Sequence, residues 1–197
     1  MTISTIFSTR EEYLTLAANE ASMAIFQPAG FDVPLHLIKV SCGWPVGSRG
    51  AKKILGQCFH PKASRAGHIE IFISPVIEDA EQALGVLVHE LVHATVGNEA
   101  GHGPVFRHCA HAIGLTRGPM TGAMPDEALA AKLRVMIHES LGAYPHAAVD
   151  FNSRKKQGTR MILLRCPRTG YQVRTTQRWI KQGLPTSPAG HLMEVVG

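Results

Sequence analysis

Apolar positions in this chain recur at two periods, and each switch between them marks a new element. Ser8 and Thr9 are each followed three residues later by a glutamate, and then come Tyr13, Leu14, Leu16, Ala17 and Ala21. A hydroxyl that accepts from the first turn, answered by a carboxylate, is a capping box, so a helix is expected over about 9–26. Pro28 and Gly30 end it. From Leu35 to Cys42 the apolar residues mostly alternate, as in a strand. Two further β-rich runs, 53–59 and 67–73, are separated by His60–Ala66, a segment suited to a hairpin.

Pro75 stops the sheet, and the period returns to that of a helix. Asp79 caps a segment reaching about Val96, whose buried face is Ala83, Leu84, Leu87, Val88, Leu91 and Val92, with Gly97 closing it. A second helix starts near Pro104 and ends at Gly114. After a loop marked by Gly118, Pro119 and Gly122, a further helix spans roughly Asp126 to Leu141. Beyond Pro145 the pattern changes to short β-like pieces, Arg160–Cys166 and Tyr171–Thr176. The expected organisation is therefore a body, residues 1–149, and an appendage, residues 150–197.

Charge sharpens that division. Residues 1–149 hold 11 Lys and Arg against 13 Asp and Glu, net −2, whereas residues 150–197 hold 9 against 2, net +7. Such asymmetry suits a polyanionic partner. At 197 residues and 45% hydrophobic, the chain can bury a core. No apolar run approaches the ~18–20 residues of a membrane helix, and the first residues lack a secretory pattern, so a cytoplasmic protein is expected. Cys42, Cys58, Cys109 and Cys166 form no C-x-x-C pair, which argues for reduced thiols rather than a disulfide framework.

The sharpest chemical signal is His89-Glu90-Leu91-Val92-His93. Residues i and i+4 of a helix lie one above the other, so both imidazoles reach toward one point without bending the backbone. That geometry suits a zinc ion, and Glu90 is placed to accept a proton from a water the metal has acidified. With 11 His and 11 Glu in the chain, the pattern is expected by chance only ~0.03 times. A catalytic zinc needs a third protein ligand and an open fourth position. The extended form H-E-x-x-H-x-x-G-x-x-H fails, because residue 96 is Val and residue 99 is Glu. His102 is the best third ligand: it shares the apolar face of Phe106, Cys109 and Ile113, and the Gly97–Gly101 turn can fold the next helix back. His60, His68, His108, His111 and His138 read as surface or structural histidines. Tyr144 and His146 follow the last body helix and are candidates to steady an oxyanion.

The run HELVHATVGNEAGHGPVF, residues 89–106, resembles the SprT-like (Spartan) metallopeptidases, in which H-E-x-x-H precedes a G-H-G-x-x-F block. The resemblance implies a zincin-type helical core with one zinc per chain held by His89, His93 and His102. It further implies proteolysis of DNA-associated, in some relatives DNA-crosslinked, proteins, with substrates chosen through DNA rather than a side-chain pocket. Many such proteins end in a zinc ribbon. Here Cys166-Pro167-Arg168-Thr169-Gly170-Tyr171 has Thr169 where a second cysteine would stand, and the second block, Leu184–His191, has no cysteine. Cys166 and His191 alone cannot complete a tetrahedral site. The expected fold is thus α+β: a zincin-type core with a small antiparallel sheet, plus a β-rich, degenerate zinc-ribbon-like appendage. Tyr171, Val173, Trp179, Ile180, Leu184 and Met193 are expected to hold that appendage by packing. Arg154, Lys155, Lys156, Arg174, Arg178 and Lys181, with Trp179 to stack on bases, are the expected nucleic-acid contacts. The competing reading is a non-catalytic nucleic-acid-binding or regulatory protein with a structural zinc. A hydrolase acting on something other than peptides is the third.

Overall fold

The structure, a computed structural model, describes residues 7–46, 54–150 and 161–196. The chain divides into two compact units, Met1–Phe151 and Asn152–Gly197.

In the first unit, α1 (Arg10–Ala21) starts at the capping box: Thr9 Oγ1 accepts from the Glu12 amide, and the Glu12 carboxylate accepts from the amides of Ser8 and Thr9. Its inner face is Tyr13, Leu14, Ala17, Ala18 and Ala21. The predicted helix continues to Phe26, but as a wider π turn from Ser22 followed by a 3-10 turn, Gln27–Ala29. Gly30 stops it in a left-handed conformation (φ 84°). Leu35–Leu37 is a 3-10 turn, so the first strand is shorter than its alternation implied: β1 is Ile38–Cys42. With β2 (Gly56–Phe59) and β3 (Ile69–Ile73) it forms a sheet in the order β1-β3-β2. The β2–β3 hairpin is antiparallel, whereas β1 runs parallel to β3, Ile38 opposite Ile69. The sheet is therefore mixed, not antiparallel. Alternation reports which side chains share a face and says nothing of which strand lies alongside.

Ile69, Ile71 and Ile73 present one face of β3 to the core. Against this sheet and α1 packs α2 (Ala80–Val96), whose cap Asp79 accepts from the Gln82 amide. The six predicted apolar positions are all buried, and so are His89 and Glu90. A 3-10 turn, Asn98–Ala100, leads into α3 (Pro104–Ala112), which buries Phe106, Cys109 and Ala110. The expected loop at 118–122 lies inside a two-stranded ribbon, β4 (Leu115–Arg117) and β5 (Met124–Pro125), too short to leave a period in the sequence. α4 (Glu127–Met136) is capped by Asp126 and runs on as a π turn to Leu141.

The second unit is a three-stranded sheet, β6 (Ile162–Arg165), β7 (Gln172–Thr175) and β8 (Glu194–Val195), in the order β7-β6-β8, with a single helical turn α5 (Gln177–Ile180). Its core is Leu164, Cys166 and Met193, backed by Ile162, Val173 and Ile180. Tyr171, Trp179 and Leu184, expected to pack, are exposed instead. No helix among the described residues is long and apolar enough to cross a membrane.

Candidate metal centre

α2 brings His89 and His93 to one face, one turn apart, and the Gly97–Gly103 turn carries His102 back to meet them. The Nε2 of His102 lies 3.2 Å from that of His93 and 3.3 Å from that of His89. Nitrogens bound ~2.0–2.1 Å from a tetrahedral ion are ~3.3–3.4 Å apart, so the triad matches a ligand set. Hydrogen bonding among the rings is a poorer explanation. A neutral imidazole carries one N–H, and His102 Nε2 sits within bonding distance of two neighbours at once. Among the described residues these three form the only His, Cys, Asp or Glu group close enough to hold a metal ion.

The surroundings keep the rings neutral, as ligation requires. Burial, reinforced by the neighbouring imidazoles, pushes His89 and His93 down to about 4, and burial lowers His102 as well. The Nδ1 of His89 is buried without a well-formed hydrogen bond, although the Ala123 backbone is near enough to favour the protonated ring. Phe106, fully buried, serves as a platform, its centroid 4.5, 5.1 and 4.8 Å from the rings of His93, His89 and His102.

Glu90 is 6% exposed, and burial pushes its carboxyl up to about 8, opposed by a hydrogen bond from the Cys58 backbone. β2 lies hard against it. A Cβ on Gly56 would stand 2.5 Å from Glu90 Oε1 and 2.5 Å from Val86 Cγ1, so only glycine lets the strand approach this closely. Asn98, just beyond α2, fixes the same strand: its amide donates to the Cys58 carbonyl, and the Cys58 thiol donates to Asn98 Oδ1 at 3.6 Å. Burial and the nearby Glu90 push that thiol up to about 12, so it stays protonated and acts as a tether. Beside His89 and Glu90 opens a cleft of about 740 Å³.

Gly56, Cys58 and Asn98 escaped the sequence reading, since nothing in the chain links position 58 to position 98. Glu99, which stands where the extended motif would place a histidine, is exposed and faces His60 at 3.7 Å. His108, His111 and His138 are exposed, and His60 and His68 half-buried. Tyr144 and His146 do not line the cleft. Tyr144 packs edge-on against Tyr13 beneath the Arg10 guanidinium, and His146 Nε2 meets the Ser8 carbonyl at 3.2 Å, so the oxyanion role falls away. Arg10, buried, binds the carbonyls of Pro75, Pro145 and Ala147, which draws that segment against α1.

In the second unit, Arg174, Arg178, Trp179 and Lys181 are exposed, with the Arg178 guanidinium 5.3 Å above the Trp179 ring. Arg154, Lys155 and Lys156 lie outside the described residues. Cys166 is covered by its own loops. Hydrogen bonds, first from the Thr169 side chain and also from the Thr169 backbone and Ser187, pull its thiol down to about 7 against the opposing effect of burial. Ser187 is itself 4% exposed, and its Oγ accepts from the His191 amide at 3.3 Å. Compared with known proteins, the chain matches no family model, no curated protein and no solved structure.

Proposed function

We propose that this chain is a zinc-dependent endopeptidase of the SprT-like kind, acting on proteins held on DNA. The observation that carries the reading is three imidazole nitrogens converging beside a buried carboxylate that opens onto a cleft. Zinc bound there would supply a Lewis acid able to polarise a peptide carbonyl and make water nucleophilic near neutral pH. His89, His93 and His102 would hold it, and their neutral rings need lose no proton to do so. Glu90 would receive the proton of the attacking water and return it to the departing amine. A buried carboxylate at the edge of the cleft is placed to take both roles. The Cys58 backbone and Gly56 hold Glu90 in line, and the cleft beside it admits the peptide.

On this reading the first unit is a zincin-type core. The second is a zinc-ribbon shape that has replaced its metal with hydrogen bonds around Cys166. Its exposed cations and Trp179 would track single-stranded or distorted DNA. A structural zinc in a non-catalytic protein is the weaker reading, because structural sites are closed by four protein ligands and only three converge among the described residues.

Elemental analysis, paired with DNA-stimulated self-cleavage of wild type and Glu90→Gln, tests the proposal. One zinc per chain in both proteins and cleavage in wild type alone are expected. Equal cleavage rates would remove Glu90 from the mechanism, and two zincs per chain would restore a metal to the second unit.

A further inference from the structure

The cleft beside Glu90 has a direction. The stripe of α2 that carries His89 and Glu90 continues toward the helix N-terminus through Val86 and Gly85 to Glu81, and all of these residues line the cleft. Eight residues of helix separate His89 from Glu81, so the floor runs ~12 Å, the span of about four extended residues. Leu55, Ala123 and Met124 line it as well. Gly85 lets β5 sit close, since a Cβ there would meet Pro125 at 3.3 Å.

The lining chemistry points to one kind of occupant. Met124 is 56% exposed, a large apolar side chain left facing solvent at the cleft wall. The carboxylates at the far end are already engaged: Asp79 caps α2, and Glu81 pairs with Arg134 at 3.1 Å. Gln82, Arg117 and Thr121 also line the cleft, but they are set among Ile54, Leu55, Val86, Met124 and Pro125, against which an apolar side chain entering would lose only its exposure. At about 740 Å³ the cleft lies within the range of sites that enclose most of a ligand.

We infer that this cleft receives a short extended stretch of the protein substrate and selects aliphatic or aromatic side chains in it. Cleavage then depends on the residues next to the scissile bond as well as on where the substrate is held. The inference rests on the hydrolytic reading above and adds a side-chain preference to the selection through DNA, rather than through a side-chain pocket, that the resemblance to SprT-like proteins implies.

The test uses the full chain loaded with zinc. End-blocked, fluorescein-labelled hexapeptides, identical except for a central Leu-Leu, Phe-Phe, Ser-Ser or Asp-Asp pair, are titrated against Glu90→Gln and followed by anisotropy. The same peptides are incubated with wild type and cleavage is read by mass spectrometry. Leu-Leu and Phe-Phe are expected to bind about tenfold or more tightly than Ser-Ser, and to be cleaved in that order. Met124→Asp, at an exposed position, should shrink the ratio severalfold while zinc content and melting temperature stay unchanged. Equal binding across the set, or cleavage at one uniform rate, overturns the subsite and leaves the hydrolytic reading standing. Apolar-selective binding to Glu90→Gln without any cleavage by wild type, with single-stranded DNA added or left out, upholds the subsite and removes the hydrolytic reading.

Discussion

In the first unit three imidazoles converge with no opposing charge among them, whereas in the second a thiol converges with the hydroxyls of Thr169 and Ser187. Both places gather polar groups around a buried member, His89 in one and Cys166 in the other. The imidazoles sit with their nitrogens aimed at one another, one Nδ1 without a hydrogen bond, and their proton affinity lowered by burial. The thiol, by contrast, is fed by several donors that favour its charged form. One arrangement could hold a cation, and the other is closed by protein hydrogen bonds. The contrast teaches that a polar cluster is read by what remains unsatisfied, not by which residue types it contains.

The largest expected effect comes from breaking the first cluster. His102→Ala should lower zinc affinity by more than ~100-fold, measured by competition with a chromogenic chelator, because loss of a direct ligand must exceed the ~10–100-fold typical of outer-shell partners. Zinc at a thousandfold over the wild-type Kd should raise wild-type stability by ~4 kcal/mol, and at the same zinc concentration the variant's increment should fall to ~1.4 kcal/mol or less. A melting temperature that ignores both zinc and the substitution would mean that the triad is an ordinary buried cluster.

Acidity probes the same cluster through its depressed imidazoles. The folded values of about 4 for His89 and His93 lie below the ordinary 6.5, so between these limits the unfolded chain binds more protons. The stability contribution of this pair is therefore present above about pH 6.5 and lost progressively as pH falls to about 4. Urea melts of the metal-free protein across that window should show the decline, and a double His89→Gln, His93→Gln variant should show it weakened. Identical slopes in the two proteins would contradict the depressed values.

A smaller, more local effect is expected at Gly56. Gly56→Ala forces a methyl against Glu90 Oε1 and Val86, so β2 or the carboxylate must move. Turnover should fall at least tenfold while zinc content holds, since a displacement of ~1 Å in catalytic geometry can cost ~100-fold. Unchanged turnover would show that Glu90 adjusts freely. Asn98→Ala should act the same way but more weakly, by loosening the Cys58 backbone rather than displacing it.

How far these features were legible in the sequence depends on the range of the interaction that makes them. Helix boundaries set by local caps, such as Thr9–Glu12, Asp79 and Gly97, could be read because the hydrogen bonds span three or four residues. The convergence of His89 and His93 follows from helix geometry alone; His102 precedes α3, so the turn after Gly97 carries it to them and not the helical face it was expected to share with Phe106. The parallel placement of β1 beside β3 was not legible, being decided by packing between segments about thirty residues apart. Asn98 and Cys58 meet across 40 positions, and a lone Asn after a helix looks like any turn residue. In the second unit, exposure of Tyr171 and Trp179 ran against their hydrophobicity, because a three-residue core has no room for them.

The mildest test falls on the second cluster. Ser187 is nearly fully buried, its Oγ accepts the His191 amide, and its hydroxyl contributes to the environment of the Cys166 sulfur. Ser187→Ala removes the hydroxyl and fills its place with nothing, strands one amide, and removes one of several donors to sulfur. A loss of ~1 kcal/mol is expected, as for a single buried hydrogen bond. If this unit has dispensed with metal, that loss will be the same with and without a chelator, whereas His102→Ala and chelation should mask each other in the first unit. Proteolysis-monitored melting, with peptides assigned to each unit, separates the two. A chelator that destabilised the second unit of the wild-type chain would mean that an ion, not the hydroxyls, holds its loops together.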